Sequence, residues 1–185
     1  VHYGRGDIDM NRKANGMDAL PEPAAPPPTD PRLPLSARQV FKLKKSWKGI
    51  KRNMESTGVE MFISLFRKNA ELKDLFVGFK DLKIEDDSMR LSELFEKHGA
   101  LVMGVLDEAI SHIDNVDYVV DLLQKTGRSH SKFLGFTPEL FWSFEDAFLT
   151  GVKITLEDRY SDAMDEVYRK TIRFILESLL YTDAH

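Results

Sequence analysis

The chain has 185 residues, of which 42 % are hydrophobic and 30 % are charged, values typical of one soluble globular domain. A formal net charge of −4 gives no electrostatic reason to expect a nucleic acid partner, and no apolar run approaches the ~20 residues of a transmembrane segment. The absence of cysteine excludes disulfides, thiolate metal ligands and a cysteine nucleophile, and with the lack of a secretory pattern it predicts a cytoplasmic protein.

Proline divides the chain into two parts. Seven of the eight prolines lie within residues 1–34, in a stretch that includes PEPAAPPPTDPRLP. Such a composition buries too little apolar surface to offset the entropy lost on ordering. We therefore expect residues 1–35 to form a flexible N-terminal extension and residues 36–183 to form one folded domain.

From residue 36 onward the apolar spacing is helical, and no strand or hairpin pattern is convincing. Ser36-x-x-Gln39 and Thr57-x-x-Glu60 have the pattern of capping boxes, and Thr137 before Pro138 indicates another helix start. An all-α domain is predicted, with helices over 36–52, 57–69, 70–76, 89–111, 117–131, 137–157 and 162–181. The basic side chains of the first helix are interpreted as a solvated outer face, with a membrane surface or an acidic partner as the alternative; they are Lys42, Lys44, Lys45, Lys48, Lys51 and Arg52.

Two histidines lie on the apolar stripes of predicted helices. His98 falls four residues before Val102, and His130 falls seven residues after Leu123. A buried imidazole without partners costs about 1–3 kcal/mol, so a metal between two facing helices would satisfy both rings. A large apolar cofactor would also explain the many phenylalanines. Zinc and di-iron sites are competing interpretations, but the close ligand pairs and Glu-x-x-His motifs that they need do not occur around these histidines.

The ordered set of motifs closely resembles the globin family over residues 36–183. Trp47 matches the marker tryptophan of the first helix, and LFRKNAELKDLFVGF (65–79) resembles the segment that carries two haem-contacting phenylalanines. EKHGALV (96–102) resembles the distal stretch, and TGRSH (126–130) the proximal stretch, particularly that of neuroglobin-like globins.

The resemblance implies a globin fold with helices A to H around haem b, His130 as proximal iron ligand and His98 as distal residue. Propionate partners would be Lys97, Arg128 or Lys132. The further residues expected at the haem are Phe62, Phe76, Phe79, Val102, Thr126, Phe133, Phe136, Phe141 and Phe144.

Three positions depart from the usual globin pattern. Ala70 replaces a common proline, Thr126 stands where leucine is usual, and Phe62 stands where several oxygen-avid invertebrate globins have tyrosine. His98 is therefore the distal donor that remains for bound oxygen. The alternative role, in which His98 itself binds iron and makes a six-coordinate bis-histidyl haem, is preferred.

Three functions follow from the resemblance. The leading hypothesis is a gas or redox sensor, or an electron-transfer globin, with oxygen or another diatomic gas and an electron or signalling partner. The alternatives are reversible oxygen storage or transport with five-coordinate haem, and nitric oxide dioxygenase or nitrite reductase activity. The third is disfavoured because no flavin or nicotinamide motif occurs, so the protein is expected to be a ligand-binding haem protein rather than an enzyme.

Overall fold

The computed structural model describes residues 29–75, 93–130 and 137–180, and these ranges contain helices and no strand. The α-helices are α1 (Ala37–Lys51), α2 (Met54–Lys68), α3 (Glu93–Ser111), α4 (Val116–His130), α5 (Phe144–Leu156) and α6 (Asp162–Leu180). Short 3-10 helices span Ala70–Leu75, Pro138–Ser143 and Glu157–Arg159. The predicted all-α class is confirmed. None of the described helices is long and apolar enough to cross a membrane.

Helix α1 begins at the predicted capping box. The backbone N–H of Gln39 donates to Ser36 Oγ over 3.1 Å, and the backbone N–H of Ser36 donates to Gln39 Oε1 over 3.0 Å. Two of the backbone N–H groups at the helix start are thus satisfied. The packed part of the chain starts earlier than this helix, because Leu33 and Leu35, which the sequence assigned to the extension, are buried in the core.

The prediction that a capping box at Thr57 starts the second helix is wrong. Helix α2 already begins at Met54, with Asn53 as its N-cap, so Thr57 lies inside the helix and is buried. Its hydroxyl forms a 2.7 Å hydrogen bond with the hydroxyl of Thr155 on α5. A contact between distant parts of the chain, which a local pattern does not contain, determines the role of this side chain.

The predicted helix over 137–157 is divided in the structure. Thr137 is the N-cap of a 3-10 helix with Pro138 in its first turn, and α5 follows only at Phe144. The predicted helix over 70–76 is likewise a 3-10 helix. Both tighter segments adjoin the cavity described below.

The core joins α1 to the helices beneath it. Val40, Leu43, Trp47 and Ile50 form the buried stripe of α1. The indole Nε1 of Trp47 donates to Asp107 Oδ1 on α3 over 2.9 Å, which ties the first helix to α3. A smaller apolar cluster around Phe62 and Phe66 packs under α2. Residues of both clusters line a large cavity.

Candidate metal and cofactor site

A cavity of about 690 Å³ lies between helices α2 to α6. Its walls are mainly aliphatic and aromatic, and the polar side chains that line it are Lys97, His98, Thr126, Ser129 and His130. The volume is within the range of about 300–1,000 Å³ that is typical of small-molecule and cofactor sites. The cavity therefore suits a large apolar ligand that is bound by a few polar groups.

His130 lies in the last turn of α4, and its ring orientation is set by a hydrogen bond. Its Nδ1 lies 2.8 Å from the carbonyl oxygen of Thr126, one turn earlier. Because a carbonyl only accepts, Nδ1 must carry the proton in this bond, which leaves the lone pair on Nε2. Histidines that bind metals commonly have their tautomer fixed in this way, by a hydrogen bond from the other ring nitrogen.

The hydroxyls around Thr126 support the same turn. The Thr126 hydroxyl donates to the carbonyl of Leu122 over 2.9 Å, and the Ser129 hydroxyl donates to the carbonyl of Thr126 over 2.6 Å. The carbonyl of Thr126 thus accepts from two side chains at once. The hydroxyl of Thr126, the residue that stands where leucine is usual, therefore forms its hydrogen bond within α4.

His98 projects from α3 and is partly buried. Its ring meets the edge of Phe62 at a centroid distance of 5.0 Å. Burial lowers the pKa of His98 below its usual value, and repulsion from the nearby His130 lowers it further. A lowered pKa keeps the imidazole neutral over a wider pH range, which is the form that binds a metal.

Aromatic rings frame both histidines. Phe141 lies 5.0 Å from the His130 ring in an edge-on arrangement, and Phe144 lies 6.0 Å from Phe62. Such ring contacts restrain both imidazoles, and the His130 ring is held by its hydrogen bond to Thr126 as well. Each of the two imidazoles therefore packs against a phenylalanine, and both line the same apolar cavity.

Glycines let the helices that carry the histidines pack closely. A Cβ atom at Gly127 would lie 2.1 Å from the carbonyl oxygen of Leu179, so α4 rests directly on the backbone of α6. A Cβ atom at Gly58 on α2 would lie 2.8 Å from Met103 Cγ and 3.2 Å from the carbonyl of Gly99, the residue after His98. Alanine at Gly127 or Gly58 would separate these helices.

Seven of the residues predicted from the sequence line this one cavity: Phe62, His98, Val102, Thr126, His130, Phe141 and Phe144. Their roles toward a cofactor stay predictions. Phe76, Phe79, Phe133 and Phe136 lie outside the described residues, as does Lys132. Of the other two candidate propionate partners, Lys97 lines the cavity, whereas Arg128 is exposed and does not.

Sequence reasoning missed the contribution of α6 to the cavity wall. Ile172, Ile175, Leu176 and Leu179 all line it. Their spacing predicts a buried helix face, but the same spacing serves an ordinary core. The available signal was Gly127, because a glycine inside a helix can mark the place where another helix, here α6, approaches closely.

The donor set of the cavity fits a haem better than a bare metal ion. Among the described residues no three His, Cys, Asp or Glu side chains converge, so the cavity offers two imidazoles. A protein-bound zinc ion needs three or four protein ligands, whereas haem iron takes four nitrogens from the macrocycle and needs one or two from the protein. The apolar walls match the porphyrin face.

Comparisons with known proteins agree with this geometry. The globin family model matches residues 59–179. The chain is 26 % identical to the neuroglobin of Tetraodon nigroviridis over 145 residues, which are 78 % of this chain and 90 % of that one. It is 26 % identical to Cytoglobin-1 of Oryzias latipes over 122 residues, which are 66 % of this chain and 63 % of that one.

Solved structures give the same result. A hexacoordinated heme protein from an anhydrobiotic tardigrade is similar over 82 % of this chain and 97 % of that one, with 36 % identity and a TM-score of 0.79. The hemoglobin of the botfly Gasterophilus intestinalis shares the fold over 78 % of this chain and 96 % of that one, with 18 % identity and a TM-score of 0.69. Fold, cavity and family match together identify the chain as a haem-binding member of the globin family.

Proposed function

We propose that the chain binds haem b through both His130 and His98 and works as a gas or redox sensor, or as an electron-transfer globin. The observation that carries the proposal is that the imidazoles of His98 and His130 line one apolar cavity. The 36 % identical tardigrade protein is described as hexacoordinated, which supports the same coordination here.

His130 supplies the permanent link in this proposal. Its Nδ1 proton is held by the Thr126 carbonyl, so Nε2 would carry the lone pair that binds the iron. The rigid turn around it, with two hydroxyls bonded to backbone carbonyls, gives the ring few alternative orientations. This side chain would hold the cofactor whether or not His98 is bound to the iron.

His98 supplies the link that changes. Haem, when bound, supplies an iron that takes up a diatomic gas or exchanges an electron. If His98 were the sixth ligand, a gas would bind only to the fraction of molecules in which this imidazole had moved away, and its apparent affinity would fall by that fraction. Phe62 and Val102 beside it offer no N–H or O–H group. His98 is thus both the competitor of the gas and a hydrogen-bond donor to it.

Oxygen storage is the second hypothesis, and it requires His98 to stay off the iron. Nitric oxide dioxygenation or nitrite reduction would require, in addition, an external electron donor. Oxygen or another diatomic gas is the proposed ligand for the sensor and storage functions. The cytoplasmic location and the downstream partner stay predictions from the sequence.

The absorption spectrum of the deoxygenated ferrous protein tests the proposal. We expect a low-spin six-coordinate spectrum for the wild type and a high-spin five-coordinate spectrum for His98→Leu. His112→Leu is the matched control, because His112 is exposed and does not line the cavity. A high-spin wild type would refute the proposal and favour storage, and a low-spin His98→Leu variant would mean that another side chain is the ligand.

A further inference from the structure

Helix α1 is strongly cationic. It carries six basic residues and no acidic one, in a chain whose formal net charge is −4. Arg38, Phe41, Lys45, Lys48 and Arg52 follow one another at intervals of three and four residues, so they share one line along the helix and its C-cap. All five are exposed. These five residues are called the basic stripe.

Within residues 29–75, 93–130 and 137–180, the cations of the basic stripe have no acidic partner. The neighbouring Lys44 is paired with Asp114 at 2.9 Å, and Lys51 with Asp107 at 3.5 Å. In the part of the chain that the structure describes, none of the four cations in the basic stripe forms an ion pair. Their uncompensated charges create a positive potential that attracts an external anionic surface.

Phe41 is 66 % exposed in the middle of these cations. It does not hold α1 to the core, because that contact is made by the buried side chains of Val40, Leu43, Trp47 and Ile50. A large aromatic side chain between lysines and arginines is typical of helices that lie in a lipid headgroup region. The lysine stems can extend around the ring while their charges stay in water.

We propose that the basic stripe docks the protein on an anionic lipid bilayer, with α1 parallel to the surface and Phe41 inserted among the headgroups. Residues 38–52 span about 21 Å of straight helix, which fits a flat charged surface. An acidic protein would also attract the cations. A bilayer, however, additionally offers Phe41 an apolar layer next to the negative charge, and this decides for lipid.

Docking in this orientation is separate from the haem site. None of the residues that line the cavity belongs to α1. The bound protein therefore keeps its haem coordination, and the failure of one proposal leaves the other standing.

The test uses the haem-loaded full chain and sedimentation with vesicles. We expect binding to vesicles that contain phosphatidylserine, no binding to phosphatidylcholine alone, and release by high salt. Each basic residue near an anionic surface contributes about fivefold in partition, so Lys45→Gln/Lys48→Gln should lower it about 25-fold. Lys125→Gln/Lys170→Gln, which removes the same charge from α4 and α6, should bind as the wild type does.

A second variant tests the insertion of the ring. When phosphatidylserine vesicles are added, the tryptophan fluorescence that Phe41→Trp adds to that of the wild type should shift to shorter wavelength. Phe41→Ser should bind these vesicles more weakly than the wild type. The proposal is overturned if the wild type does not bind these vesicles, if both double variants lose binding equally, or if Phe41→Trp shows no shift. Binding to soluble polyglutamate without vesicle binding would also overturn it, in favour of an acidic protein partner.

Discussion

Substitution of Gly127 offers the sharpest test of how α4, the helix that carries His130, is positioned against α6. In Gly127→Ala the new Cβ would lie 2.1 Å from the carbonyl oxygen of Leu179, so α4 and α6 must separate by roughly 0.9 Å to reach the 3.0 Å that real contacts keep. Overpacking of this kind costs about 1–3 kcal/mol, and backbone against backbone belongs at the upper end. The better helix propensity of alanine returns about 1 kcal/mol, which leaves a net destabilisation of about 2 kcal/mol.

Gly104→Ala on α3 is the matched control, because a Cβ atom there meets nothing within 4 Å. It should stabilise the protein by up to about 1 kcal/mol through helix propensity alone. Urea denaturation measures both variants. Because His130 follows Gly127 by three residues, Gly127→Ala should also release haem faster than the wild type. If both variants are stabilised equally, the close approach of α4 to α6 is wrong.

Three further predictions concern ligation, packing and pH. His130→Ala should lose haem on gel filtration, and full haem occupancy in that variant would disprove its role as proximal ligand. Trp47→Phe should lower the free energy of unfolding by about 1.5–3 kcal/mol, because the indole donates to the charged Asp107; the more exposed Trp142→Phe should change it by less than about 0.5 kcal/mol, and equal effects would contradict this. Burial raises the pKa of Tyr168 above its usual value, so the unfolded state ionises first and the urea midpoint should fall as pH rises above about 10. Tyr168→Phe should reduce that slope, and an unchanged slope would refute the explanation.

Predictions from local sequence patterns were correct where the interacting residues are close together in the sequence. Ser36 and Gln39 cap each other three residues apart, so their pattern contains the whole interaction. Thr57 has the same pattern with Glu60, but only two residues separate α1 from α2, so the second helix starts before Thr57. Its hydroxyl then bonds to α5, a partner 98 residues away. The pattern of residues 57–60 contains no information about that contact.

The candidate site divides in the same way. Periodicity places His98 and His130 on apolar stripes, and the family motifs explain why both line one cavity. The periodicity of α6 marks Ile172 and Leu176 as buried, but it does not tell a cavity wall from a core. That difference depends on how closely helices approach, which is set by the contact of Gly127 with α6 and appears only in three dimensions.

The coordination of ferric iron in the purified protein is tested most directly by its electron paramagnetic resonance spectrum at neutral pH. Two imidazole ligands impose a strong field, so ligation by both His130 and His98 predicts a low-spin signal. His98→Leu should convert that signal to high spin, while His112→Leu leaves it unchanged. A high-spin signal from the wild-type protein would contradict bis-histidyl ligation and leave His98 as a distal residue only.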